Sequence, residues 1–215
     1  MISKDTLFEV GHLSLEGLKN LQATFADLPE DQYAEKRLRS RRYSTYKMDK
    51  NGTLHHLPQK NFMQTKDFNK AVGDVQRRFA EIDPKLESNP AFVKMFHEFR
   101  ARTNLHEDSV IEAHQIRWHC KRFVKIPAPE GIHRDGFDYI AMFLVDSHNI
   151  EGGDIMIYPS LDAAPIFKKR LQPGEYVMLD DKKLYHYAAP LVPLPNNEEG
   201  YWDLIVLTAN DASKN

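Results

Sequence analysis

Two histidines and one aspartate are the residues of this sequence whose types and spacing best suit metal chemistry. His133 and Asp135 stand one residue apart in GIHRDGFDYI, residues 131 to 140, and His186 follows in DDKKLYHYAAP. Alternate residues of a strand point to the same side, so His133 and Asp135 can bind one ion while Arg134 faces away. Two imidazoles and one carboxylate suit a divalent first-row metal and leave coordination positions open for other ligands.

Each of these residues also has an ordinary structural interpretation. A single His-x-Asp pair is common by chance, and a histidine late in a strand is more often a hydrogen-bonded core residue than a metal ligand. His114 and His119 are ambiguous, because the strand that carries them precedes the proposed site and can line the same cavity. The residues alone therefore leave metal binding and a structural role both open.

A series of short strands must position these three side chains. From residue 111 onward, turn signals such as Pro127 to Gly131, Gly152-Gly153 and Pro173-Gly174 separate strand-like runs. The runs are IEAHQIRWHCKRF, DYIAMFLV, GDIMIYP, PIFKKRL, EYVMLDD, KLYHYAAPLVP and YWDLIVLTA. Many short strands without intervening helices predict an antiparallel sandwich or jelly roll, in which distant strands lie side by side.

The first half of the chain predicts two helices and a hairpin. Residues 13–28 have helical spacing of apolar residues after a possible cap, and SNPAFVKMFHEFRARTN has a cap, a first-turn proline and an apolar face. Between them, Asn51-Gly52 marks a tight hairpin. The residues that carry the two helix predictions are Ser14, Leu15, Leu18, Leu21 and Phe25 in the first, and Asn89, Pro90, Phe92, Met95, Phe96 and Phe99 in the second. We predict a single domain, 1–215, with residues 1–110 as a helical and hairpin layer and residues 111–215 as the barrel core with the metal site.

The composition argues against several classes of partner. The 215 residues include 29 Lys+Arg and 31 Asp+Glu, so the charge gives no reason to expect nucleic acid or an anionic membrane. The basic run RLRSRR at 37 to 42 is interpreted as a solvated strand edge. The single cysteine, Cys120, cannot form an internal disulfide, and no segment reaches the roughly 20 apolar residues of a membrane span. We expect a cytoplasmic protein with a small-molecule substrate.

Five motifs in order resemble the bacterial iron(II)/2-oxoglutarate dioxygenase family that includes the free L-isoleucine dioxygenases. They are HQIRW, PEGIHRDGFDYI, EGGDIMIYPS, VMLDDKKLYHYAAPLVP and GYWDLIVLTAN, and the upstream SRRYSTY, FMQTKDFN and GDVQRRFAEI are also similar to that family. The resemblance implies a mainly β, α+β fold with a double-stranded β-helix, the cupin-like jelly-roll barrel.

The resemblance also implies the chemistry. His133, Asp135 and His186 become the catalytic residues and the facial triad for Fe(II), with 2-oxoglutarate and molecular oxygen as co-substrates. The implied substrate is a small free amino acid or derivative, which is hydroxylated, desaturated or oxidatively cyclised. Gln115 and Arg117 match a family position on an early barrel strand, where they are expected to face the cavity and bind the co-substrate.

One position departs from the family pattern. The resemblance implies an arginine that binds the far carboxylate of 2-oxoglutarate, but Trp202 stands there in Gly200-Tyr201-Trp202-Asp203. An indole offers one neutral N–H in place of a charged, bidentate guanidinium. A base on a neighbouring strand could replace the arginine, and the sequence offers Arg117, Lys121, Arg122, Lys169 and Arg170. Alternatively, the enzyme uses another co-substrate or none.

Two further classes of function remain open from the sequence. The first is a cupin-type metal enzyme without redox chemistry, such as an isomerase or epimerase. The second is a barrel that binds a ligand without turnover.

Overall fold

The computed structural model shows a mainly β protein built on a seven-stranded sheet. The structure describes residues 1–3, 6–14, 16–34, 38–67, 73–121, 123–195 and 199–214. Its strands are β1 Phe8–His12, β2 Arg39–Met48, β3 Leu54–His56, β4 Ile111–Cys120, β5 Tyr139–His148, β6 Ile150–Gly152, β7 Ile155–Tyr158, β8 Phe167–Lys169, β9 Glu175–Asp180, β10 Tyr185–Ala188, β11 Leu191–Pro193 and β12 Gly200–Ala209. The α-helices are α1 Leu18–Ala23 and α2 Pro90–Thr103.

The strands form one large and two small antiparallel sheets. The large sheet has the order β1-β9-β5-β12-β4-β2-β3, and the small sheets have the orders β10-β7-β8 and β11-β6. Side chains from the small sheets, such as Ile155 and Ile157, pack in one buried cluster with Ile140, Val177 and Leu204 of the large sheet. This two-layer arrangement confirms the predicted jelly roll.

The opposite face of the large sheet packs against the helices. Phe92, Phe96 and Phe99 of α2 are fully buried in a cluster with Phe143 and Ile205 of the sheet. The second predicted helix is confirmed, because the Asn89 side chain accepts a hydrogen bond from the backbone N–H of Phe92 and Pro90 occupies the first turn. The sheet therefore has a helix-covered face and a face that points into the jelly roll.

The first predicted helix is shorter than the sequence indicated. The helix α1 begins at Leu18, after Gly17 with a φ of 75°, whereas the hydroxyl of Ser14 accepts from the backbone N–H of Glu16. Leu15 lies outside the described residues. The segment before the helix is extended because β1, which the sequence did not reveal, pairs with β9, so the chain must turn before the helix can begin.

The N-terminal half contributes strands as well as a helical layer. The strand β1 forms one edge of the large sheet, and β2 pairs with both β3 and β4. The strands β2 and β3 form the hairpin predicted at Asn51-Gly52, although their connecting loop is longer than a two-residue turn. Three strands from residues 1–110, β1, β2 and β3, therefore belong to the same sheet as the barrel strands β4, β5, β9 and β12.

Candidate metal centre and its cavity

A backbone pairing brings the two candidate histidine ligands together. The N–H of His133 donates to the carbonyl of His186 over 3.0 Å, and the N–H of His186 donates to the carbonyl of His133 over 2.9 Å. His186 lies on β10, and His133 extends that sheet by an isolated antiparallel bridge. Residues paired in this way place their side chains on the same side of the sheet. The ring centroids are 4.4 Å apart.

Asp135 completes a group of three ligand atoms. Its Oδ1 lies 3.7 Å from Nε2 of His133, and its Oδ2 lies 3.7 Å from Nε2 of His186. One ligand atom from each residue falls within 4.8 Å of the others. The side chains of His133 and Asp135 are 14% and 22% exposed, so the group is open on one side and buried on the other.

The outer nitrogens of both histidines face oxygen atoms of the protein. Nδ1 of His133 lies 2.9 Å from the carbonyl of Gly131, and Nδ1 of His186 lies 3.5 Å from Oδ1 of Asp181. Burial lowers the pKa of His186, but Asp181 and Asp135 more than offset this, and the pKa lies above its ordinary value. Oxygen partners at Nδ1 favour the tautomer that leaves Nε2 free, as in most metal-binding histidines.

Asp181 also fixes the loop that carries Asp135. Its Oδ2 accepts the backbone N–H groups of Asp135, Gly136 and Phe137 over 2.9, 2.8 and 3.2 Å. The Asp181 side chain is fully buried. Gln64 holds Asp135 from the other side, since its Nε2 donates to Oδ1 of Asp135 over 3.1 Å. The candidate ligands are therefore held by the protein itself. Neither Asp181 nor Gln64 carries a sequence signal that distinguishes it from other polar residues.

The three ligands open into a cavity of about 590 Å³, a size typical of small-molecule sites. Its apolar wall comes from alternate residues of the large sheet and from two phenylalanines: Ile116, Trp118, Ile140, Met142, Trp202, Leu204, Val206, Phe62 and Phe137. Trp202 is therefore part of the wall, and only 4% of it is exposed. The loop Val124 to Glu130 also contributes to the lining.

Two buried arginines that have no carboxylate partner among the described residues line the same cavity. Arg41 and Arg77 are 6% and 2% exposed, and Nε of each has no hydrogen-bond partner among the described residues. Both guanidinium groups pack on Phe62, at 5.0 and 4.6 Å from its ring centroid. Burial lowers the pKa of Arg41 to about 9, helped by the positive charges of Arg39 and Arg77. Arg41 is therefore charged at neutral pH.

His114 is the polar neighbour of Arg41. Nη2 of Arg41 donates to Nδ1 of His114, so the proton of the neutral imidazole is on Nε2. Burial, followed by the charge of Arg41, lowers the pKa of His114 well below its ordinary value. His114 lines the cavity, whereas His119 bonds the hydroxyl of Ser40 and does not.

The structure places Gln115 and Arg117 on the other face of the sheet, which corrects the expectation that they face the cavity. Nε2 of Gln115 donates to Thr24 near α1, and Arg117 donates to both carboxylate oxygens of Asp203 over 2.7 and 2.6 Å. The reason is strand alternation: His114, Ile116 and Trp118 of β4 take the cavity side, so the residues between them point away.

The other bases considered for the missing arginine are also outside the cavity lining. Lys121 pairs with Glu199, Lys169 pairs with Glu175, and Arg170 donates to the carbonyl of Ile150. Arg122 lies outside the described residues.

The basic run at 37 to 42 is not a solvated strand edge. Arg37 lies outside the described residues, but Arg39 and Arg41 are on β2 and point into the cavity, and only Arg42 points away. The sequence does indicate that Arg39 and Arg41 point to one side, because alternate residues of a strand share one face. Only the pairing of β2 with β4 shows that this side is the cavity.

A jelly roll with a His-Asp-His group in a cation-lined cavity defines a non-haem metal enzyme class. The sequence model described as "2OG-Fe dioxygenase" matches residues 22–208, and the chain belongs to this family. The family uses Fe(II), 2-oxoglutarate and oxygen, so the chain is an Fe(II)/2-oxoglutarate-type dioxygenase.

Solved structures share the fold. A bsmA homolog from Methylobium petroleophilum PM1 has 21% identity and a TM-score of 0.80, and the match covers 97% of this chain and 90% of that one. IDO from Bacillus thuringiensis has 19% identity and a TM-score of 0.75, with 94% and 93% covered. TqaL, an Fe(II)/(alpha)ketoglutarate-dependent dioxygenase, has 16% identity and a TM-score of 0.68, with 92% and 75% covered. No curated protein sequence matches this chain.

The residues of the cavity fit these cofactors. Two imidazoles and one carboxylate suit Fe(II), and they leave positions for a 2-oxo acid and oxygen. The unpartnered N–H groups of Arg41 and Arg77 suit carboxylates.

Within the part of the chain that the structure describes, no helix is long and apolar enough to cross a membrane.

Proposed function

We propose that His133, Asp135 and His186 bind the Fe(II) of this dioxygenase, and that its substrate is a small carboxylate such as a free amino acid or a derivative. The observation that carries the proposal is the group of three ligand atoms within 4.8 Å, at the wall of a cavity that also contains two buried guanidinium groups with no carboxylate partner among the described residues. Bound iron, with 2-oxoglutarate and oxygen, supplies the oxidant that removes hydrogen from the substrate.

The protein supplies the surroundings of this chemistry. Gln64 and Asp181 fix the position of Asp135, and the apolar wall excludes water from the reacting groups. A substrate amino acid would bring a carboxylate, and 2-oxoglutarate brings a second one that the iron does not use. Two anionic groups therefore match Arg41 and Arg77, the two buried cations of the lining that have no carboxylate partner among the described residues. The apolar lining favours an uncharged substrate side chain.

The metal assignment is tested by replacing each ligand. We expect His133→Ala, Asp135→Ala and His186→Ala each to abolish tight Fe(II) binding, measured as iron content after anaerobic loading. Loss of one of three ligands also removes activity. His106→Ala is the matched control, because this histidine is 47% exposed and lies outside the cavity lining. Full iron content in the three ligand variants would rule out the site.

The substrate class is tested by coupled turnover. The Fe(II) protein with 2-oxoglutarate is given free amino acids in turn, and succinate and oxygen are measured together with the oxidised product. We expect amino acids with apolar side chains to stimulate succinate formation and to yield stoichiometric product. The corresponding amino acid amides, which lack the carboxylate charge, should be poorer substrates. Equal turnover of acid and amide would contradict the proposed carboxylate recognition.

A further inference from the structure

We propose that Arg41 binds the carboxylate of 2-oxoglutarate that is remote from the iron, and so replaces the arginine that is missing at Trp202. The inference rests on the proposed function, because it requires 2-oxoglutarate in the same cavity as His133, Asp135 and His186. Arg41 lies on β2, a strand that precedes the five barrel motifs in the sequence.

Of the cationic side chains that line the cavity among the described residues, two already have partners or lie at the mouth. Arg39 donates Nε to Oδ2 of the buried Asp31 over 2.7 Å, and its Nη2 lies 2.6 Å from the same oxygen. Lys125 belongs to the loop at the mouth, between the exposed Val124 and Ile126. The buried cations of the lining that have no carboxylate partner among the described residues are therefore Arg41 and Arg77.

Arg77 is linked to the metal ligand. Its Nη2 donates to Oε1 of Gln64 over 3.1 Å, and Nε2 of the same amide donates to Asp135. Arg77 thereby orients the amide that holds Asp135. Arg41 has no such link, because its side-chain hydrogen bond goes to the neutral His114. A buried guanidinium whose hydrogen-bond partner among the described residues is a neutral ring is costly, and a bound carboxylate relieves that cost.

The strand register places Arg41 on the same face of the sheet as the position of the missing arginine. Arg41 pairs with Ile116 of β4, and Ile116 pairs with Leu204 of β12. The adjacent cavity-facing row contains Trp202, Trp118 and Arg39. The Arg41 side chain therefore lies on the same side of the sheet as Trp202. Strand β4 and one row of paired residues separate the two.

The surroundings of Arg41 hold its guanidinium group ready for a planar anion. The group lies 4.4 Å from the ring centroid of Phe79 and 5.0 Å from that of Phe62. Its Nε has no partner, so at least one donor is available for a carboxylate oxygen. Aromatic contacts fix a guanidinium without using its donors, and a guanidinium can bind both oxygens of a carboxylate.

The test is anaerobic titration of the Fe(II) protein with 2-oxoglutarate, followed by the visible charge-transfer band of the iron complex. We expect R41M to bind 2-oxoglutarate roughly 100-fold more weakly, because the remote carboxylate then lacks a charged partner. Its affinity for Fe(II) should be unchanged. For 2-oxopentanoate, which lacks the remote carboxylate, the wild type and R41M should have equal affinity.

Two controls accompany R41M. R42M removes the same charge from the same strand, but Arg42 points away and donates to the carbonyl of Glu81, so 2-oxoglutarate affinity should not change. R41K keeps a charge without the planar fork, and we expect an affinity between those of R41M and the wild type. R41K also remains informative if R41M does not fold.

The outcomes separate this inference from the proposed function. If the wild type binds 2-oxoglutarate and R41M binds it equally well, Arg41 is not the partner of the remote carboxylate, although the proposed function stands. Loss of binding in R77M alone, with Fe(II) affinity intact, would overturn the inference in favour of Arg77. A higher KM for the substrate at unchanged 2-oxoglutarate affinity would assign Arg41 to the substrate instead.

If the wild type binds iron but shows no charge-transfer band at any 2-oxoglutarate concentration, the inference and the proposed use of 2-oxoglutarate both fail.

Discussion

Arg117, with 15% of its side chain exposed, and the buried Arg41 lie on adjacent strands of the same sheet, but their surroundings differ. On the helix-covered face, Arg117 donates two hydrogen bonds to Asp203 and packs 4.1 Å from the ring centroid of Tyr201. On the cavity face, Arg41 has two aromatic neighbours and a neutral histidine, but no carboxylate partner in the part of the chain that the structure describes. The first arrangement is complete within the fold, whereas the second has a place for an anion. The face of the sheet on which an arginine lies, and not its residue type, therefore decides whether it is paired within the fold or available to a ligand.

The same contrast extends along β4. Gln115 donates to Thr24 on the helix-covered face, while its neighbour His114 lies in the cavity beside Arg41. Satisfied polar groups and dense packing stabilise one side of the strand, and the other side keeps space and donors for ligands. The predictions below compare the two faces.

The largest expected difference concerns the two arginines. Arg117→Met should lower the free energy of unfolding by about 3 to 5 kcal/mol, because it leaves Asp203 buried without its partner. Arg41→Met should change it by less than about 1 kcal/mol in the metal-free protein, since the lost contacts are offset by removal of an unpaired buried charge. Urea denaturation measures both values.

A double variant sharpens this prediction. Arg117→Met combined with Asp203→Leu removes both charges, and we expect it to recover most of the stability lost in the single variant. Equal destabilisation by Arg117→Met and Arg41→Met would show that the two faces do not differ as described.

Two leucines of β12 test the packing of the two faces. Leu207 is fully buried on the helix-covered face, and Leu204, which is 4% exposed, lines the cavity. We expect Leu207→Ala to cost about 4 kcal/mol and Leu204→Ala about 2 kcal/mol, because space already exists beside Leu204. Chemical denaturation of the two variants compares the same substitution on one strand. A larger loss for Leu204→Ala would contradict this picture.

His114 should make stability fall at acidic pH. Its pKa is well below the ordinary value in the folded protein, so the unfolded chain binds a proton below about pH 6.5 that the folded protein does not. The free energy of unfolding should then decrease by about 1.4 kcal/mol for each further pH unit because of this residue. His114→Gln should make the decrease between pH 6.5 and 5.5, where the unfolded histidine is only partly protonated, smaller by about 1 kcal/mol in denaturation curves. An unchanged slope would indicate that His114 becomes protonated within the fold.

The smallest expected effect is that of Trp202. If its indole is only part of the cavity wall, Trp202→Phe should change 2-oxoglutarate affinity by less than about threefold, or about 0.6 kcal/mol. The charge-transfer titration used for Arg41 measures this. A loss comparable to that of R41M would mean that the indole N–H binds the co-substrate directly.

The sequence predicted features that depend on local patterns. The helix α2 followed from its cap, its first-turn proline and its apolar face, and the strands from 111 onward followed from short apolar runs separated by turns. The structure also brings together His133, Asp135 and His186, the three residues chosen for metal binding.

Features that depend on strand register could not be obtained in the same way. The strand β2 reads RSRRYSTYKM, which lacks an apolar face, and its arginines were assigned to solvent. Only its pairing with β4 shows that Arg41 enters the cavity. Gln115 and Arg117 were placed on the wrong face for the same reason, since a shift of one residue exchanges the two faces of a strand. The strand β1 was missed because its partner, β9, is remote in sequence.

The contacts of Asp181 have a consequence for how the protein acquires iron. One of its oxygens holds the loop of Asp135 through three N–H groups, and the other faces His186, so a single buried side chain positions two of the three ligands. All of these contacts are between atoms of the protein itself. Metal loading is then a step that follows folding, and iron removed by a chelator should be restored to the apoprotein by simple addition, without refolding.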